Sequence, residues 1–218
     1  MSEKIARALL ETKSIYFNIE DPFIFPSGKI SPVYVDCRRL ISYPKLRDEI
    51  VGELTRIATD EIGLDEIHVV AGGTTGGIPY ATFLAHAIKK PLIYVQKSPS
   101  GSGSTRQITG VLEKGQKVIL MEDVTADGMS VLRFKGGIEI ARARLTHCLC
   151  VFEYRSEKLG MREAREILTK HGVGLFGLVT WDDILEMARQ EGYFTGEEYE
   201  QVLSFLKDPN QWWQKVGG

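Results

Sequence analysis

The most informative segment of the chain is Val118-Ile-Leu-Met-Glu-Asp-Val-Thr-Ala-Asp-Gly-Met-Ser130. Its first four residues are apolar and have the length of a short buried strand. Glu122 and Asp123 follow at the predicted end of this strand, and a loop of small and polar residues at 125–130 precedes a helical pattern from Val131. This order predicts a ligand site at the carboxyl end of a parallel strand.

The chemistry of these residues suits a phosphorylated sugar. Backbone N–H groups at a helix N-terminus favour a phosphate, while carboxylates accept hydrogen bonds from sugar hydroxyls or approach a metal. Two other interpretations stay open. One is an ordinary strand–turn–helix whose acids are solvated. The other is a flavodoxin-like receiver that binds magnesium, but it needs a phosphoacceptor Asp on another strand, and the sequence offers no good candidate.

A second loop of the same kind lies upstream. The apolar segment 67–71 predicts a strand, and it runs into Gly72-Gly-Thr-Thr-Gly-Gly77 before a helix from Ile78. Glycines between a strand and a helix let a ligand approach the backbone closely. The plainer interpretation is a tight crossover without ligand, and a second anion site is favoured only because a comparable loop exists at 125–130. The Gly-Lys-Ser/Thr ending of a P-loop is absent.

A third predicted strand, 92–95, leads into the Ser/Gly-rich segment 96–107. That composition is flexible, and in a compact domain such a loop is usually a lid or is disordered. Its position after a site-forming strand favours the lid.

The remaining elements complete an alternating pattern. We expect helices at 2–13, at 44 to about 59, at 131–143 and at 161–170, strands at 145–152 and 173–180, a hairpin at 14–36 and two acidic helices at the end. Pro26-Ser-Gly-Lys29 is the hairpin's turn signal. Thr180 with Asp183, and Thr195 with Glu198, match the capping-box pattern. Strands that alternate with helices predict an α/β fold with a mostly parallel central sheet flanked by helices.

Composition excludes several classes of function. The 218 residues, 43% of them hydrophobic, fit one domain with additions. A net charge of −2 gives no basic field for nucleic acid. We find neither a membrane-spanning run nor a secretory apolar core, so we expect a cytoplasmic protein. Cys148 and Cys150 are two apart and would share one face of a strand, and the cysteines and histidines show no zinc-ligand spacing.

Residues 118–130 resemble the phosphoribosyl-diphosphate (PRPP) signature of type I phosphoribosyltransferases. Nearly the whole chain is similar to the orotate phosphoribosyltransferase family within that group. Three features carry the resemblance: the segment Ser27-Gly-Lys…Ser31-Pro…Tyr34, the tripeptide Gly77-Ile-Pro79, and Glu122-Asp123…Ala126-Asp-Gly128…Ser130. The resemblance implies the type I phosphoribosyltransferase fold with a small N-terminal hood over the carboxyl edge of the sheet.

The resemblance also implies a reaction and a set of site residues. The reaction forms orotidine 5′-monophosphate and diphosphate from orotate and PRPP, with Mg²⁺ held mainly by substrate oxygens and water and with no dedicated protein metal ligand. The catalytic residues would be Lys97 and Asp123. PRPP would bind Gly73, Thr74, Thr75, Gly76, Lys97, Glu122, Asp123, Val124, Thr125, Ala126, Asp127, Gly128, Met129 and Ser130. Orotate would bind Ser27, Gly28, Lys29, Tyr34, Ala126 and Tyr154.

We further expect a homodimer and a single domain. That domain would comprise an N-terminal helix and hood at 1–36, a core at 37–180 and C-terminal helices at 181–218.

The chain departs from the family's pattern mainly by losing positive charge. Gln96, Ser100 and Ser102 stand where the family's mobile loop usually carries Arg, Lys and His, so Lys97 remains there, with Arg106 farther along. Gly76 replaces a frequent Lys. Tyr154 replaces an orotate-binding Arg, with Arg155 one position away. Two further functions therefore stay open: a PRPP- or nucleotide-binding regulatory protein, and a phosphoribosyltransferase for another base.

Overall fold

A computed structural model describes residues 2–24, 30–99 and 107–216. After helix α1 (Ser2–Glu11), the chain forms four short strands: β1 (Ile15–Phe17), β2 (Phe23–Ile24), β3 (Ile30–Ser31) and β4 (Val33–Val35). Strand β1 pairs antiparallel with β4, and β2 pairs antiparallel with β3. The predicted hood is thus confirmed as one hairpin nested inside another. Its expected turn at 26–29 lies outside the described residues.

The central sheet has the strand order β10-β9-β8-β5-β6-β7. Its strands are β5 (Val69–Gly73), β6 (Leu92–Val95), β7 (Ile108–Thr109), β8 (Lys117–Thr125), β9 (Arg144–Glu153) and β10 (Gly174–Thr180). Strand β7 runs antiparallel to β6, and every other pairing is parallel. The mostly parallel sheet is therefore confirmed, whereas β7 was not predicted, because two residues after a Ser/Gly-rich loop carry no periodicity.

The helices close to the prediction are α2 (Pro44–Arg56), α3 (Gly77–Ile88), α4 (Met129–Ile140), α5 (Glu163–Lys170), α6 (Trp181–Glu191) and α7 (Gly196–Lys207). Both capping boxes are present. An unpredicted helix α8 (Pro209–Val216) follows, and a 3₁₀ helix (Cys37–Ser42) links the hood to α2. Within the described ranges, no helix is both long and apolar enough to cross a bilayer.

Both faces of the sheet are buried, as parallel sheets require. Along β9, Cys148 and Cys150 enter the cluster shared with α4 and α5, as predicted, while Leu149 and Val151 enter the cluster shared with α1, α2, α3 and α6. Phe205 and Trp212 contact each other edge to face with ring centroids 5.6 Å apart. Both belong to the cluster that contains residues of α1, α2, α3 and α6, so the C-terminal helices pack onto that side of the sheet.

The order of the strands locates a crevice. Strand β5 has β6 on one side and β8 on the other, so the crossovers from β5 and from β6 lead in opposite directions. In open α/β sheets, ligands bind at the carboxyl ends of the strands where this reversal occurs. The loop after β5 and the acids of β8 both lie at this point.

Candidate active site

Strand β8 is longer than its apolar run predicted. It continues through the two acids to Thr125, which pairs in register with Glu153 of β9. The prediction that the strand ends before Glu122 is therefore wrong. The neighbouring strand satisfies the backbone groups of these polar residues, so the ladder does not need apolar side chains to continue. Because side chains alternate along a strand, Glu122 and Asp123 point to opposite faces of the sheet.

Glu122 faces α4 and is almost completely buried, with 6% of its surface exposed. Its Oε1 has no hydrogen-bond partner among the described residues. Burial raises the pKa of Glu122 to about 8, the charge of Asp123 adds to this rise, and Lys97 opposes it. The interpretation in which both acids are simply solvated is thus wrong for Glu122. A buried oxygen without a partner suits a ligand hydroxyl.

Lys97 is the loop cation on this side of the sheet. It is exposed, and its Nζ lies 5.9 Å from the centroid of the Phe134 ring of α4. Phe134 and Glu122 both lie against Gly73, since a Cβ on that glycine would overlap each of them. Strand β6 and the loop therefore bring Lys97 and Glu122 to the same side of the crevice, as the site prediction requires.

Asp123 faces the hood side and is half-buried. Burial raises its pKa, while backbone N–H groups of Val124 and Asp123 itself and the charge of Arg38 lower it. A Cβ at Gly76 would overlap the Asp123 carboxylate, and a Cβ at Gly73 would overlap Glu122 Oε1. The two acids thus contact the loop 73–76 directly. A Lys at position 76 would require Asp123 to move, so the glycine there matches the position of this carboxylate.

The turn after β8 presents the start of α4 to the crevice. Thr125 is buried, and its Oγ1 has no hydrogen-bonding nitrogen or oxygen within the described ranges. Asp127 Oδ1 accepts a hydrogen bond of 3.0 Å from the N–H of Met129. Gly128 precedes α4 with φ +75°, a left-handed conformation that glycine adopts without strain. The N–H groups of Ser130 and Val131, the next two in the first turn of α4, have no carbonyl partner within the helix and can receive an anion.

The remaining predicted residues of this turn fall around the same opening. Ala126 and Met129 are exposed, Ser130 is half-buried in the first turn of α4, and Val124 packs against the core on the hood side. On the facing loop, Thr74 is half-buried and Thr75 is exposed.

The lid segment is anchored at both ends. The N–H of Gln96 donates to the carbonyl of Gln107 at 2.8 Å, and Gln107 Nε2 donates to the carbonyl of Gln96 at 3.0 Å. The segment between them leaves and returns at one place beside the site. Residues 100–106, which include Ser100, Ser102 and Arg106, lie outside the described ranges, so the expected lid stays a prediction.

The hood covers the Asp123 side of the crevice. Tyr34 packs against Tyr16 and Phe23, with ring centroids 6.1 and 5.7 Å away. Burial raises the pKa of Tyr34, and the negative charge of Asp123 is among the further causes, so this phenol and the acid lie near each other. Ser27, Gly28 and Lys29, the other expected hood contacts of orotate, lie outside the described residues.

Tyr154 lies deep on the hood side of the crevice. It packs edge to face against Phe152 and Trp181, with ring centroids 5.5 and 5.4 Å away. Burial raises its pKa, and Tyr34 contributes to the rise. Arg155 is engaged by Glu157 at 2.7 Å and by Glu153 at 3.5 Å. Its Nε is buried and has no hydrogen-bond partner among the described residues.

One charged residue near the acids was not predicted. Arg38 Nη2 donates to the hydroxyl of Tyr34 at 2.8 Å, and its Nε donates to Asp36 Oδ1 at 2.7 Å. A signal was available in the sequence, since Asp36-Cys-Arg-Arg39 places charges directly behind a hood strand whose Tyr34 was already assigned to the site.

Comparisons with known proteins give a consistent picture, although no protein-family model matches the chain. The orotate phosphoribosyltransferase of Jannaschia sp. (strain CCS1) is 39% identical over 212 residues, which cover 97% of this chain and 91% of that protein. The crystal structure of orotate phosphoribosyltransferase from Aeropyrum pernix has a TM-score of 0.68 and 26% identity, covering 84% of this chain and 97% of that one. Leishmania donovani UMP synthase shares the fold, with a TM-score of 0.77 at 23% identity, over 94% of this chain and 42% of that one.

Proposed function

Because the chain belongs to the orotate phosphoribosyltransferase family, we propose that it transfers the phosphoribosyl group of PRPP to orotate, giving orotidine 5′-monophosphate and diphosphate. The reaction belongs to pyrimidine nucleotide synthesis. The assignment of this reaction to the crevice rests on one observation. At the switch point of the sheet, two carboxyl groups that both contact the loop 73–76, the backbone of this loop and a helix N-terminus surround one crevice. These groups match the hydroxyls, the diphosphate and the 5′-phosphate of PRPP, respectively.

In the proposed binding mode, Glu122 and Asp123 accept hydrogen bonds from the ribose hydroxyls. The turn 125–130 receives the 5′-phosphate through backbone N–H groups and the hydroxyls of Thr125 and Ser130. The loop 73–76 receives the diphosphate. The unpartnered Glu122 Oε1 supports this mode, because a buried polar atom without a partner costs about 1–3 kcal/mol until a ligand satisfies it.

The chemistry requires charge stabilisation in a dry site. Displacement at the anomeric carbon develops positive charge on the ribose ring and negative charge on the departing diphosphate. The Asp123 carboxylate held against the ribose favours the first, and Lys97 with the N–H groups of the loop favours the second. We expect the segment between Gln96 and Gln107, whose two ends are joined by hydrogen bonds beside the site, to exclude water from the bound substrates.

Magnesium, when bound, would neutralise the diphosphate and orient it for departure. Among the residues that the structure describes, no group of three acidic, histidine or cysteine side chains could enclose a metal. The half-buried Asp123, in contact with the loop 73–76, nevertheless offers one carboxylate beside the diphosphate position. This donor set fits a cation held mainly by substrate oxygens and water.

We extend the proposal to the setting of the enzyme. It would act in the cytoplasm as a homodimer, and each chain would form one phosphoribosyltransferase domain.

A continuous assay of orotate consumption tests the proposed function. With saturating PRPP and magnesium, we expect orotate to be consumed and diphosphate to be released in equal amounts, and we expect no turnover without the metal. If PRPP stabilises the protein against heat but no diphosphate forms, the chain is a ligand-binding protein of this fold. If another base is consumed faster than orotate, the substrate assignment is wrong.

A further inference from the structure

The cations around the acid pair divide between the two faces of the sheet. Lys97 acts on Glu122 from the α4 side, whereas Arg38 acts on Asp123 from the hood side. Tyr34 and Tyr154, which are both expected to contact orotate, lie on the hood side. Arg155 is engaged by Glu153 and Glu157, and Tyr154 carries no charge. The described part of the hood side therefore presents Arg38 as a cation to which no function has been assigned.

Arg38 is held in a fixed position. Asp36 caps the 3₁₀ helix by accepting the N–H of Arg38 at 3.2 Å and its Nε–H at 2.7 Å. The carbonyl of the intervening Cys37 accepts a hydrogen bond of 2.6 Å from Tyr80, a buried residue of α3. Since α3 begins directly after the loop 73–76, this bond ties Arg38 to the element that carries the proposed diphosphate loop.

The guanidinium group is also available to a ligand. A guanidinium has five N–H donors, and Arg38 uses one for Asp36 and one for Tyr34. About half of its side chain, 51%, is exposed to solvent. A planar guanidinium with free donors recognises a carboxylate through two parallel hydrogen bonds, a geometry that the point charge of lysine does not reproduce.

Resting on the proposed function, we propose that Arg38 is the residue that recognises the carboxylate of the pyrimidine substrate, and so selects orotate over bases that lack this group. Tyr34, bonded to Arg38, holds the guanidinium toward the base. In this proposal, the positive charge that binds the carboxylate comes from Arg38, in the segment between the hood and α2, and not from position 154 at the end of β9.

The test compares Arg38→Met, Arg38→Lys and the neighbouring Arg39→Met in steady-state kinetics with orotate and with uracil, which lacks the carboxylate. Arg39 is a matched control for the support of the hood, because its side chain donates to the hydroxyl of Tyr16, the neighbour of Tyr34, and to the carbonyl of Thr12. We expect Arg38→Met to raise the KM for orotate about ten- to a hundredfold and to change the KM for PRPP less than about twofold. Arg38→Lys should recover part of the loss.

Uracil separates recognition from a merely structural role. If Arg38 contacts the carboxylate, the preference for orotate over uracil falls in Arg38→Met by the same factor as the orotate KM rises, and the thermal midpoint stays near that of the wild type. If Arg38 only orders the hood, both bases are affected equally and the inference is overturned. A wild type that neither binds nor consumes orotate refutes the proposed function itself; an active wild type whose Arg38→Met variant is unchanged refutes this inference alone.

Discussion

Replacing Glu122 by Gln should raise the stability of the ligand-free protein at neutral and alkaline pH. The pKa of Glu122 is about 8 in the folded protein, against an ordinary value of 4.5. Between these values the folded chain keeps a proton that the unfolded chain has lost. Folding therefore takes up a proton there, and stability falls as pH rises from about 4.5 to about 8. The amide introduced by Glu122→Gln does not titrate, so this variant loses the dependence.

The size of the effect follows from the shift of the pKa. The difference between the two pKa values of Glu122 (8 minus 4.5, or 3.5) corresponds to about 5 kcal/mol in full, of which about 4 kcal/mol develops between about pH 5 and about pH 9. Relaxation of the site and water entry reduce this, so a difference of about 2–4 kcal/mol is expected in measurement.

Urea unfolding of the wild type and of Glu122→Gln at several pH values measures this difference. Both proteins should have similar free energies of unfolding near pH 5, and the variant should be the more stable one near pH 9. Glu113→Gln, the same change on an exposed carboxyl, should follow the wild type throughout. Asp123, whose pKa is also raised, leaves a residual slope of the same sign in every variant. Parallel curves for wild type and Glu122→Gln would show that Glu122 is not a buried acid without a partner.

Other predictions concern the site and its support. Asp123→Asn, with its volume unchanged, should lower kcat/KM for PRPP about a hundredfold or more while circular dichroism stays that of the wild type; unchanged kinetics would exclude a role at the ribose. Gly128→Ala should cost about 1–2 kcal/mol in urea unfolding and raise the KM for PRPP, because φ is +75° and the new Cβ lies 3.2 Å from Leu168 Cγ; an unchanged KM would separate the turn from the phosphate. Thr195→Ala should cost about 1 kcal/mol by removing the cap of α7 without changing activity, since none of the proposed site residues belongs to α7, and an activity loss would show that α7 supports the site.

The sequence predicted the helices and strands whose burial produces a regular pattern of apolar residues. Parallel strands covered on both faces read as apolar runs, so β6 was placed correctly at both ends. Capping boxes at Thr180 and Thr195 were readable because a side chain and a backbone group three residues apart satisfy each other locally. Local chemistry of this kind needs no knowledge of the rest of the chain.

The features that were not predicted depend on contacts between residues that are distant in sequence. Strand β8 runs past its apolar residues because β9 pairs with it, and that pairing turns Glu122 and Asp123 to opposite faces. Arg38 reaches the acid side of the site through Tyr34 and through the bond from Tyr80 to Cys37, which joins residues 43 positions apart. No window of local sequence contains either relation, so only the folded chain shows that Lys97 and Arg38 act on the acid pair from opposite faces.

The proposed function depends on two acids that hold a ribose and on the turn behind them that holds its phosphate. A crystal structure of the protein with PRPP and magnesium is the sharpest test of this arrangement. We expect the 5′-phosphate within hydrogen-bond distance of the backbone N–H groups of 126–130, and ribose hydroxyls on the carboxyl groups of Glu122 and Asp123. A phosphate bound elsewhere, with the turn unchanged and Glu122 still without a partner, would be incompatible with it.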